Sequence, residues 1–125
     1  MTDLLLDSNA LSSWADKDQR VLALLEAVRR VGGVVYVPTV CLIESLTGSH
    51  TNAALNQRLR GAVIVNLDEK TARLAAHLRA DVDGDDAADP VVVATACLVR
   101  ATIISVDDNI GDEVTGAPAH LRYGL

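Results

Sequence analysis

The apolar residues of this chain come in two rhythms. Short continuous runs, TDLLL at 2–6, VVYV at 34–37, AVIVNL at 62–67 and TIISV at 102–106, read as buried strands, with a further short strand near 120–123. Between them the spacing becomes helical. Residues 8–15 and 19–30 carry it, with Val21, Leu22, Leu24, Leu25 and Val28 on one face and Gly32-Gly33 as the stop. Pro38-Thr39 opens a short helix to about Leu46, residues 51–60 are polar and helical, and Asp68 caps a helix of about 69–80. PVVVATACLVR at 90–100 is almost wholly apolar; its alanines and the Asp89-Pro90 start predict helix over strand.

Strand and helix alternate throughout, which predicts an α/β class with a mainly parallel sheet in one domain spanning 1–125. Composition agrees. Half of the residues are hydrophobic, enough for a core without disulfides, yet Trp14, Tyr36 and Tyr123 are the only aromatics. A core of Val, Leu, Ile and Ala suits strands covered on both faces. No stretch has the roughly 20 apolar residues of a membrane span, and no basic region precedes the first apolar run as in a secretory signal. Cys41 and Cys97 sit in apolar segments and read as reduced thiols, so a cytoplasmic protein without a membrane partner is expected. Two isolated cysteines with His50, His77 or His120 make no recognisable zinc pattern.

The net charge of -6 opposes binding of nucleic acid through a basic surface. A nuclease with this balance needs metal ions to offset its own acids. Arg58, Arg60, Arg73 and Arg79 fall in two successive helical segments, either as a phosphate-contacting face or as ordinary solvated surface.

Four acids stand out. Asp7 directly follows the first strand and Asp107 follows TIISV, and in open parallel sheets ligands bind outside the carboxyl ends of strands. Each is equally readable as a cap of the next helix or turn. Glu44 lies in VCLIESL among Val40, Leu42, Ile43 and Leu46, outside any capping box if Thr39 is the cap. No lysine or arginine occurs between Val31 and Gln57, so an inward-facing Glu44 needs another cation, whereas an outward-facing one needs none. Asp89 before Pro90 reads as a helix N-cap, and also stands where a helix amino end would meet a pocket. Converging carboxylates repel unless a cation neutralises them. Magnesium takes about six oxygen ligands, mixing carboxylates with waters, and such ions activate water and stabilise the oxygens of a phosphodiester.

Other motifs fail. Asp81, Asp83 and Asp85 mimic the start of an EF-hand, but Asp86 stands where glycine is required and Val92 where the final glutamate is required. There is no P-loop, GxGxxG, GxSxG or HExxH.

LLLDSNAL at 4–11, the glutamate within VPTVCLIESLTG at 37–48, DPVVVATA at 89–96 and ISVDDN at 104–109 together resemble the PIN-domain ribonucleases, and most of all the VapC-type toxins of bacterial toxin–antitoxin modules. The blocks come in the family's order and nearly span the chain. The resemblance implies a three-layer α/β/α sandwich and a magnesium- or manganese-dependent endoribonuclease acting on RNA. Asp7, Glu44, Asp89 and Asp107 match its catalytic, metal-holding acids. Ser8 and Asn9 match small polar residues beside the first acid, and Ser105 the hydroxyl residue before the fourth. A small cognate antitoxin is the partner implied; a homodimer is left open. Pro90 departs from the family pattern, and Asp108 and Asp112 compete with Asp107, which is nearest the strand end.

Two other readings compete. Receiver domains are also acidic, α/β and magnesium-binding, and Asp7 and Asp68 superficially match their acids. They use a lysine after a late strand, however, and Lys17 and Lys70 are the only lysines here. A catalytically inactive PIN-like interaction module is opposed by the four intact acids.

Overall fold

A computed structural model describes residues 3–46, 49–79, 88–105 and 122–124. Five strands, β1 (Asp3–Leu6), β2 (Val35–Pro38), β3 (Val63–Val65), β4 (Ala101–Ser105) and β5 (Arg122–Gly124), form one sheet in the order β3-β2-β1-β4-β5. Every neighbouring pair is parallel. The helices are α1 (Ser8–Ala15), α2 (Gln19–Arg30), α3 (Thr39–Ser45), α4 (Ser49–Leu59), α5 (Glu69–Arg79) and α6 (Ala88–Val99). The predicted α/β class with a parallel sheet flanked by helices is what the chain adopts.

The first strand to be made lies in the middle. β1 pairs with β2 on one side, Leu4 opposite Val35, and with β4 on the other, Leu6 opposite Ile104. Leu4, Leu5 and Leu6 are all buried, as a strand covered on both faces requires. A side-chain clamp fixes its start: the Val34 amide donates to Asp3 Oδ1 at 2.9 Å. Leu11, Trp14, Val21, Leu25 and Leu55 pack against the sheet in the main core, together with Val92, Val93 and Ala96 of α6. Helix α6 is buried from Pro90 to Ala96. Its one hydroxyl in that stretch is satisfied within the helix, Thr95 Oγ1 donating to the Val91 carbonyl at 2.7 Å.

Several boundaries differ from the sequence reading, three of them for identifiable reasons. β3 is confined to Val63–Val65, an edge strand with Val63 and Ile64 exposed. Paired only with β2, it has nothing to extend it toward Leu67, whose amide instead approaches the Thr39 hydroxyl at 3.4 Å. The cap of α3 is Pro38, without a side-chain bond, and Thr39 is already helical. Helix α6 starts at Ala88, so Asp89 lies within its first turn and is not the cap. Proline is tolerated next to it because amides of a first turn have no intrahelical acceptor.

Candidate active site

In a parallel sheet the strand order reverses where two neighbouring connections leave in opposite directions, and a crevice opens at the carboxyl ends there. Here the chain steps from β1 outward to β2 and β3, then crosses back to β4 on the other side of β1. The reversal falls between β1 and β4. Asp7 is the first residue past β1 at that point, and its own amide approaches the Ile104 carbonyl of β4 at 3.3 Å.

Asp7 is only 4% exposed. It caps α1: the Ala10 amide donates to Asp7 Oδ1 at 2.7 Å, and the Asp7 carbonyl accepts from the Leu11 amide at 2.9 Å. The capping reading of Asp7 is therefore correct, and it does not compete with the other. A carboxylate has acceptor sites for about four partners, so capping a helix and holding another group are compatible roles. Ser8 and Asn9 open α1; Ser8 is half-buried and Asn9 exposed.

Glu44 is in the last turn of α3, the helix that begins at the carboxyl end of β2. Only seven residues long, α3 stays near that edge. A cross-link next to Glu44 ties it to the start of α1: Ser45, 5% exposed, donates its hydroxyl to the Ser8 carbonyl at 3.3 Å. The bonded residues are the chain neighbours of Glu44 and Asp7. Ser45 was not singled out from the sequence; the one signal was a hydroxyl adjoining the acid within a short apolar helix. Ile43, on the other side of Glu44, is 76% exposed.

Asp89 reaches the same edge by direction of travel. Helix α6 runs directly into the amino end of β4, so its own amino end, with Asp89 in the first turn, faces the carboxyl ends of the strands. Helices α3 and α6 touch. The side chains of Glu44, Asp89 and Ser105 lie outside the described residues, as do Asp107, Asp108 and Asp112 altogether. Among the described residues no three side chains of metal-ligating type converge.

Three of the four arginines read either as a phosphate-contacting face or as solvated surface go to different surroundings. Arg58 lines a cavity against α2, Arg79 one against α6, and Arg73 is engaged by Glu69 at 2.8 Å.

The PIN domain family model matches residues 4–113. The chain belongs to the PIN domain family. This PIN domain finds no match among curated protein sequences. Its fold has counterparts among solved structures. One is VapBC2 from Rickettsia felis bound to a DNA fragment from their promoter, with a TM-score of 0.82 at 14% identity over 99% of both chains. A toxin–antitoxin complex from Klebsiella pneumoniae gives 0.76 at 20% identity, over 98% of this chain and 100% of that one. FitAcB from Neisseria gonorrhoeae gives 0.59 at 25% identity, over 83% and 87%. Among the described residues of this PIN domain no helix is long and apolar enough to cross a membrane.

Proposed function

We propose that this PIN domain is a divalent-metal-dependent endoribonuclease and the toxin of a toxin–antitoxin pair. The observation that carries the reading is the buried carboxylate of Asp7 at the point where the parallel sheet reverses its strand order. A buried carboxylate at that place favours a cation beside it. In the proposal, Asp7, Glu44, Asp89 and Asp107 hold one or two magnesium or manganese ions; Asp108 and Asp112 are the alternatives after β4. The donor set is all oxygen, which suits these hard ions better than zinc. Such ions, when bound, supply activation of water and neutralisation of charge at a phosphodiester.

The protein's own contribution is positioning. The Ala10 amide holds the Asp7 carboxylate in one orientation, and the Ser45–Ser8 bond holds the end of α3 against the start of α1. Ser8, Asn9 and Ser105 are the polar groups proposed to flank the acids. RNA is the proposed substrate, since an acidic pocket filled by cations attracts a phosphate backbone that the bare protein, at net charge -6, would repel.

The antitoxin half rests on the fold likeness to the Rickettsia and Klebsiella complexes. A small partner presenting a basic side chain to the acids is the complementary inhibitor.

Incubating purified protein with end-labelled RNA in magnesium, and again in EDTA, tests the enzyme. Cleavage in magnesium that EDTA abolishes is expected, and its absence in Asp7→Asn. Cleavage that persists in EDTA refutes the metal role. Expression of the chain alone should arrest growth, and co-expression with the product of an adjacent small gene should relieve it. Unimpaired growth with no co-purifying partner refutes the toxin role while leaving the nuclease test separate.

A further inference from the structure

At the opposite end of the sheet, a cavity of about 620 Å³ opens between the end of α1, α2 and the end of α4. Arg29 stands shortly before β2 and Gly61 shortly before β3, so this cavity lies toward the amino ends of the strands, away from Asp7. Its lining includes three cations, Lys17, Arg29 and Arg58, and one acid, Glu26. The acid is engaged elsewhere, accepting from Arg30 Nε at 3.4 Å. None of the three cations makes an ion pair among the described residues.

The three cations differ in their surroundings. Arg29 lies over the Trp14 ring at 5.5 Å. The approach of Gly61 leaves room for that guanidinium; a Cβ there would come within 2.7 Å of its terminal nitrogen. Arg58 buries its Nε with no hydrogen-bond partner, an orphan donor that ordinarily marks a missing acceptor. Lys17 also lines the cavity, at φ 61 in the left-handed position that closes α1, where the Asp18 amide donates to the Ser13 carbonyl at 2.9 Å. Three such cations on a chain of net charge -6 form a local reversal of sign.

We propose that this cavity binds a phosphate-bearing small anion, with Arg58 and Arg29 contacting its oxygens through their guanidinium forks and Lys17 as a point charge. Planar guanidinium donors match tetrahedral oxyanions, and the volume accommodates a ligand up to the size of a nucleotide. The site is independent of the acids at the carboxyl edge.

Isothermal titration of the full chain with inorganic pyrophosphate, in EDTA so that no divalent ion bridges phosphate to carboxylates, tests it. Saturable binding at one site per chain is expected, weakened at least about tenfold in Arg58→Met by loss of charge-assisted bonds. Lys17→Gly removes the charge while relieving the backbone, so it folds and should also weaken binding. Gly61→Ala displaces only the flexible end of Arg29 and should do the same. ADP binding tighter than pyrophosphate extends the site to a nucleoside; equal binding assigns it to the phosphates alone. The proposal is overturned if pyrophosphate does not bind or if all three variants bind it unchanged. It is also overturned if citrate competes equally, or if a short single-stranded RNA binds here while pyrophosphate does not.

Discussion

Asp7 has two jobs in this account, and substitution can separate them. Asparagine caps helices about as well as aspartate and presents the same acceptor to the Ala10 amide, but carries no charge. Alanine removes both. Loss of an N-cap costs about 1 kcal/mol. Unfolding entropy of about 2.1 cal/mol/K per residue makes that about 4 °C in Tm for a chain of this size. In EDTA, Asp7→Asn should therefore melt no lower than wild type, since it keeps the cap and removes a repelling charge, whereas Asp7→Ala should melt about 4 °C below Asp7→Asn. Magnesium at a hundred times its Kd stabilises a folded protein by about 2.7 kcal/mol, about 10 °C here. Wild type should show that rise and both variants little of it. Thermal melts by circular dichroism, in EDTA and in millimolar magnesium, give all six values. An undiminished magnesium shift in Asp7→Asn refutes the metal role of Asp7. Identical melting of the two variants in EDTA refutes the energetic weight given to the cap.

Further outcomes follow from other positions. Glu44→Gln, Asp89→Asn and Asp107→Asn should each lower RNA cleavage at least about tenfold; full activity in any of them, in a gel assay at matched protein, removes that residue from the site. Ser45→Ala breaks the bond to the Ser8 carbonyl and should cost about 1 kcal/mol in urea unfolding, with cleavage falling further than stability explains if α3 then shifts. Asp68 has its pKa held below 3.8 by the hydrogen bond from Thr71, so its contribution is present above that value and is lost as pH falls through the lower folded-state pKa. Melts between pH 5 and pH 2 should show a shallower acid slope in Asp68→Asn than in wild type; equal slopes count against the assignment.

Sequence periodicity was a sound guide wherever local preference and burial agree. LLL followed by aspartate reads as a buried strand that meets a helix cap, and Asp7 is both. The apolar run from Pro90 onward was ambiguous between strand and helix by pattern alone; Ala94 and Ala96 tipped it correctly. What the sequence could not display is lateral order. That β4 returns to the far side of β1, so that the strand order reverses beside Asp7, depends on pairing between segments nearly a chain length apart. Ser45 was missed for a related reason: its partner is a backbone carbonyl, and no residue type signals that. Helix ends were off by a residue or two, which turned Thr39 and Asp89 into caps when both are helical.

The central place of β1 has a bearing on how the protein comes into being. β1 is made before the other described strands, yet one of its two neighbours, β4, begins only at Ala101. Contacts this distant in sequence form late, and chains fold as they emerge from the ribosome. Until β4 is made, the nascent chain therefore carries Asp7 beside an open strand edge. The carboxyl edge on which Asp7 stands is therefore finished only once β4 has been made, long after Asp7 itself.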